Sequence, residues 1–473
     1  MKIHLTQATV CTEDKIVFLC SGADNIPDLP LSAEEKEYAS SHLSNDCKIC
    51  RIQNLEKETF IVVTDGDAGE ASQKHDLQNS ATKIYSHLTR HSDITAVSVQ
   101  SRLGRKLTLA FAESLILSDY HFDKYKSRKD YRIGEIHLCC DKIEDSEIAE
   151  LQNLCDSIGN ARDWVNEPIM QLNAAKFGDI LQDEAVKHGA RATVLSQHQI
   201  EALKMGGILG VNRGSTDEAR FIILEWTHPK AKDTRPVILV GKGIMYDTGG
   251  LNIKTGNYMN DMKSDMAGAA TLAGVFFAAV RNNLPVNLKV LIPATDNRPN
   301  GNAYASGDIL TMYDGTTVEV VNTDAEGRLI LADAIAYANR YDPRIIIDAA
   351  TLTGAAERAI GKYGIVAMHQ KAENEMRTLV SAGEDVYERI AEFPFWEEYG
   401  ELIKSDVADI KNSGTGVCAG MITAGKFLAH FAKAPFIHLD IAGVAFAEKN
   451  YGFYGTGATG FGIRLLYNWL KNA

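Results

Sequence analysis

The 473-residue sequence predicts an α/β protein of two domains, a smaller N-terminal α/β domain and a larger C-terminal α/β domain with a mostly central sheet. The chain is too long for one ordinary core. Apolar runs of strand length alternate with helix-length stretches along nearly all of it. Strand signals also turn from weak to strong after a helical stretch that closes on Asn166-Glu167-Pro168, where proline ends the helix.

Residues 1–143 are expected to form the smaller domain. Apolar runs at Lys15–Cys20, Phe60–Val63 and Leu107–Phe111 alternate there with polar stretches of helical character. No chemical constellation falls in this region, which suits a structural or assembly role. Residues 144–168 read as a linking helix, and residues 169–473 as the larger domain. Its strands are Phe221–Glu225, Val237–Val240, Val286–Ile292, Val318–Val321 and Ile345–Asp348. Each is short and rich in β-branched residues, and a glycine or an acid ends it or follows within a few residues, as in strands that end at a working edge. Helices over Met262–Arg281 and Glu326–Arg340 alternate with them, so the sheet should lie between helical layers.

With 45% hydrophobic and 23% charged residues the chain has a globular composition. Its net charge of −13 disfavours a general electrostatic grip on nucleic acid, which needs a basic surface to displace counterions. The N-terminus turns polar too soon for a signal peptide, and no later run approaches the roughly 20 apolar residues of a membrane span. A cytosolic location is expected. Eight irregularly spaced cysteines do not form a disulfide framework, and Cys47-Lys48-Ile49-Cys50 lacks the second pair that a zinc site would need.

Two strand ends carry the charge. Lys242 and Asp247 project from the glycine-hinged segment Val240–Gly250, and Lys254 lies seven residues beyond Asp247. Asp265 opens the next helix, where an acid suits a cation site or the helix macrodipole. The second end is Asn322-Thr323-Asp324-Ala325-Glu326-Gly327-Arg328-Leu329. In extended backbone, residues two apart point the same way, so Asp324 and Glu326 are expected to aim at one point. Carboxylates held that close take up a proton or a cation. Asp247, Asp265, Asp324 and Glu326 supply four negative charges, which two divalent cations would neutralise.

The run Asn322–Leu329, N-T-D-A-E-G-R-L, resembles the signature octapeptide of the leucyl aminopeptidase family, the M17 metallo-aminopeptidases of the cytosol aminopeptidase and peptidase B type. Met262–Ala270, Asp348–Gly354, His438–Gly443 and Gly457–Gly460 resemble the same family, so the likeness runs from Arg162 to the C-terminus. It implies hydrolysis of the N-terminal residue of peptides by a water held between two divalent metals: zinc, manganese, cobalt or magnesium. Asp247 and Glu326 would bridge both ions, with Asp324 completing one site and Lys242 and Asp265 the other. Lys242 would then be a neutral amine, against the ordinary alternative of a cation paired with an acid. Lys254 matches the position that supports the oxyanion, and Arg328 the one that holds bicarbonate as general base. Met262, Thr351, Leu352, Gly354, Ala442 and Ala445 match positions bordering the first substrate residue. The resemblance further implies a homohexamer of two trimers acting on peptides with a free N-terminus.

Departures are modest: Thr248, Thr255 and Ala267 stand where serine, proline and glycine are usual, which touches pocket shape and loop stiffness. The alternatives are a bifunctional member that also binds DNA and a two-metal phosphoesterase. Gly455–Gly460 is a literal G-x-G-x-x-G, but only 13 residues follow it, so the acid of a dinucleotide site has no place and a packing turn is expected. Cys418 is expected as a small buried residue and His438 as a hydrogen-bonded core histidine.

Overall fold

A computed structural model describes residues 3–8, 13–44, 47–140, 143–414 and 418–472. They form two compact units, Met1–Gly159 with Lys449–Thr456 and Asn160–Glu448 with Gly457–Ala473.

The first unit is built on six strands in the order His4–Gln7, Ile133–Cys139, Ile94–Ser101, Lys15–Cys20, Glu58–Val63 and Ile49–Gln53. Every pairing is parallel except the last, at the Ile49–Gln53 edge. Lys15–Cys20 and Glu58–Val63 are apolar almost throughout because both of their faces are covered. Leu107–Phe111, grouped with these runs on composition, instead lies in the helix Arg105–Ser118. Its buried residues Thr108, Phe111, Ala112 and Leu115 recur at three and four, a helical period that a five-residue window is too short to reveal.

The second unit holds a nine-stranded mixed sheet in the order Ile390–Glu392, Ile365–Gln370, Phe436–Asp440, Ile345–Ala350, Val237–Gly241, Asn287–Asn297, Arg220–Thr227 and Arg191–Leu195, with Gly243–Asp247 paired to the end of Asn287–Asn297. Its central strands are parallel and fully buried. One face carries the helix Glu326–Ala338, buried at every residue, in a core with Ile238, Val240, Leu291 and Ile346. The other carries Ala267–Arg281, buried at every residue but the last. Glycines allow that helix to approach: a methyl at Gly241 would lie 2.6 Å from Ala269 Cα, and one at Gly268 would strike the Ala349 carbonyl. Among the described residues no helix is long and apolar enough to cross a membrane.

Three expected elements differ. Met262–Arg281 divides into a 3-10 turn, Met262–Met266, and the α-helix Ala267–Arg281, and Asp265 sits in the turn. Glu326–Arg340 likewise ends as α-helix at Ala338 and continues as the 3-10 turn Asn339–Tyr341. The strand expected over Val318–Val321 is only Thr317–Glu319, in a separate three-stranded sheet with Ile309–Thr311 and Ile410–Lys411. Beyond it Val320 still pairs with the backbone of Gly307 and Asp308, but Val321 and Asn322 find their partner in the Asn412 side chain rather than in a neighbouring strand.

Candidate metal centre

The site gathers where strands stop. Lys242 lies between the strands Val237–Gly241 and Gly243–Asp247, its N–H bonded to the Ala349 carbonyl at 3.1 Å. Asp247 ends the second strand. The chain then turns through Gly249 and Gly250 at φ 86° and 66°, the left-handed region that favours glycine. Asp265 rides the 3-10 turn, and Glu326 is the first residue of its helix.

Asp247, Asp265 and Glu326 are buried, and each offers an oxygen within 4.8 Å of the others. The Lys242 amine fills one side of this cluster, 2.7 Å from Asp265 and 3.0 Å from Glu326, and also donates to the Thr351 carbonyl at 2.9 Å. Room for that amine comes from Gly327, where a methyl would lie 2.8 Å from both Cδ and Nζ of Lys242. Asp324 stands outside the cluster of three. Its side chain is 33% exposed against 2% for Glu326, and it pairs with the Lys254 amine at 2.6 Å. That amine also meets Asp247 at 2.8 Å. The two carboxylates of the octapeptide therefore do not converge through an extended backbone, because Ala325 at φ −108°, ψ 40° and the helix start intervene.

The electrostatics mark an excess of negative charge. Burial and the neighbouring Asp247 push the Glu326 carboxyl up to about 8, against the pull of Lys242. Asp265 is pushed up to about 6 by burial, again opposed by Lys242, and Asp324 is raised by burial and Asp247. Burial disfavours charge on both lysines, yet the carboxylates hold each amine above the usual lysine range. In the chain alone Lys242 is thus a cation between acids. Glu326 Oε2 remains buried with no hydrogen-bond partner. Four acids against two lysines, an unpartnered buried oxygen and an oxygen-plus-amine donor set fit divalent cations.

Arg328 donates from Nη1 to the Asn412 carbonyl at 2.8 Å, while its Nε is buried without a partner. Burial lowers it to about 10, although Glu326 and Asp440 favour its charge. Thr351 donates its hydroxyl to Asp265 at 2.8 Å. Leu352 N–H and Ala442 N–H share Asp440 Oδ1, each at 3.2 Å. Met262 opens the turn that carries Asp265, and Gly354 opens the helix Gly354–Ile360. Ala445 is buried, its carbonyl taken by Thr459.

Several polar residues absent from the sequence reading complete the site. Asn297, fully buried, donates from Nδ2 to Asp247 Oδ1 at 2.8 Å and to the Thr323 carbonyl at 3.0 Å. The Tyr304 hydroxyl donates to that same carbonyl, and Asp440 Oδ2 accepts from the Thr353 hydroxyl. Asp440 falls within the motif-like stretch His438–Gly443, whereas Asn297 and Tyr304 are isolated polar residues that no sequence pattern marks. His438 is buried and hydrogen-bonded to Asp348 at 2.7 Å. Cys418 is exposed rather than buried, because it precedes the left-handed Ala419 at the head of the helix Gly420–Ala429 instead of lying within it.

Residues 160–467 match the model of the cytosol aminopeptidase family, catalytic domain. The chain is 43% identical over 368 residues to a probable cytosol aminopeptidase of Geobacter sulfurreducens, covering 76% of this chain and 74% of that protein. Its fold is similar to that of a mutant of tomato leucine aminopeptidase, with TM-score 0.86 and 25% identity over 100% of this chain and 97% of the other. It is also similar to the bottromycin maturation enzyme BotP in complex with Mn, with TM-score 0.85 and 26% identity over 97% and 99%.

Proposed function

The chain belongs to the cytosol aminopeptidase family and is a metallo-aminopeptidase of leucyl type; from that premise we propose that Lys242, Asp247, Asp265, Asp324 and Glu326 hold two divalent metal ions. The observation that carries this is the buried convergence of three carboxylates, two of which also hold the Lys242 amine. On this reading Asp247 and Glu326 would serve both ions, Asp324 one of them, and Lys242 with Asp265 the other. The manganese of the BotP complex supports a divalent ion, and zinc, cobalt or magnesium suits the same donors. Such a pair supplies Lewis-acid polarisation of a carbonyl and acidifies water.

The chain's own residues do the rest. Lys254, held between Asp247 and Asp324, presents a fixed positive charge to the oxyanion that develops on the scissile carbonyl. Arg328 keeps a buried Nε donor unfilled, which suits holding bicarbonate as the base. Asp440 fixes Leu352 and Ala442, and Asp265 fixes Thr351; with Met262, Gly354 and Ala445 these border the first substrate residue. We assign catalysis to residues 169–473, assembly into a homohexamer to residues 1–143, and a cytoplasmic location.

The test is turnover of a leucyl fluorogenic amide, its N-acetylated form and nitrophenyl phosphate by the purified chain. Only the free-amine substrate should be cleaved. Equal cleavage of the blocked amide, or turnover of the phosphate alone, would reject the proposal.

A further inference from the structure

The segment Val320–Ala325 carries the chain into Asp324 and Glu326, yet it belongs to neither strand nor helix. Its backbone polar groups must find partners elsewhere. Four of them find one side chain. Asn412 Oδ1 accepts from Val321 N–H at 2.8 Å and Asn322 N–H at 3.3 Å. Asn412 Nδ2 donates to the Asn322 carbonyl at 2.7 Å and the Ala325 carbonyl at 3.4 Å. Only one orientation of the amide satisfies two donors on one side and two acceptors on the other.

Asn412 is itself fixed. It is fully buried and follows the strand Ile410–Lys411, whose parallel pairing of Val318 with Ile410 and Glu319 with Lys411 sets it beside the loop. Its N–H donates to the Glu319 carbonyl at 2.9 Å. Its own carbonyl then takes Arg328 Nη1 at 2.8 Å. One residue, 84 to 91 positions away in sequence, thereby holds the ligand loop by its side chain and the arginine by its backbone.

We propose that Asn412 is a positioning residue for the reaction: its rigid amide sets the path of the loop bearing Asp324 and Glu326, and its carbonyl sets the direction of Arg328. The proposal rests on the metal-site assignment above. The two are coupled because both contacts belong to one residue: a shift of the loop that displaces the Asn412 side chain pulls on the residue whose main-chain carbonyl holds Arg328. Partners that orient metal ligands in this way typically contribute about 10- to 100-fold in metal affinity or activity.

Asn412→Asp keeps the shape and the acceptor but loses both donors, and Asn412→Ala loses all four side-chain bonds. Full-length variants are compared with the native chain for manganese affinity by chelator competition, thermal midpoint without metal, and kcat and KM at saturating manganese. Each is also combined with Arg328→Ala. The expected result is roughly a 10- to 100-fold loss in both metal affinity and kcat, with KM within about threefold. Arg328→Ala should cost far less in an Asn412 variant than in the native chain, because the two act as a unit. Native-like kcat and affinity in either variant, or strictly additive losses, would overturn the proposal. So would failure of both variants to fold, which assigns Asn412 to stability alone. Glu326→Gln serves as the reference: if it retains its metals and activity, the metal-site assignment fails rather than the role of Asn412.

Discussion

Gly327→Ala separates the fold from the site more sharply than removal of any ligand. The added methyl would lie 2.8 Å from Cδ and Nζ of Lys242 and closer still to Cε. Ordinary carbon contacts begin near 3.5 Å, so the lysine end must move by about 1 Å. A flexible side chain can yield, and alanine gains about 1 kcal/mol over glycine inside a helix, against about 1–3 kcal/mol for overpacking. The net stability change is therefore at most about 2 kcal/mol. The amine, however, is held by contacts of 2.7 and 3.0 Å to Asp265 and Glu326, and it cannot move that far and keep both. A misplacement of this size costs about 100-fold in rate, or about 2.7 kcal/mol of barrier. The assay pairs thermal unfolding with kcat/KM on a leucyl amide and elemental analysis. A nearly native midpoint with about 100-fold lower kcat/KM and reduced metal content is expected. Native turnover with full metal content would refute the claim that Lys242 must stand between those two carboxylates.

Three further outcomes follow from the same geometry. Lys254→Ala and Arg328→Ala should keep their metals in elemental analysis yet lose kcat, Lys254→Ala by the about 10²- to 10³-fold of a removed oxyanion stabiliser. In metal-free protein, Glu326 and Asp265 are pushed up to about 8 and about 6, above their ordinary 4.5 and 3.8. A raised carboxyl stabilises the fold below its unfolded value and loses that contribution as pH climbs through the folded one. The unfolding midpoint in chelator should accordingly fall from about pH 4 to about pH 8, and manganese should restore it most at the alkaline end; a flat difference contradicts this. Light scattering should give about six times the 51.8 kDa chain mass, and a fully active monomer rejects the assembly assignment.

The parts of the site visible in the sequence are those packed into short runs. Lys242 and Asp247 stand five apart around glycines, and Asp324, Glu326 and Arg328 share one octapeptide. The sheet was legible for a similar reason, since Val237–Gly241 and Ile345–Ala350 are buried on both faces and composed accordingly. What holds those runs in place was not visible. Asn297, Asn412 and Asp440 are single polar residues whose partners lie up to about ninety positions away, and an isolated asparagine carries no periodicity. The same blindness misplaced the strand over Val318–Val321. Two valines at its end look like ladder residues, but Val321 bonds to the Asn412 side chain instead of to a strand.

If these side chains hold two divalent ions as proposed, turnover depends on both. The measurement is a calorimetric titration of manganese into chelator-stripped native protein, with leucyl amide turnover followed at each addition. Two equivalents per chain should bind, with activity complete only at the second, and Glu326→Gln should bind fewer and stay inactive. Full activity in the stripped protein, or two equivalents with native turnover in Glu326→Gln, would contradict the account.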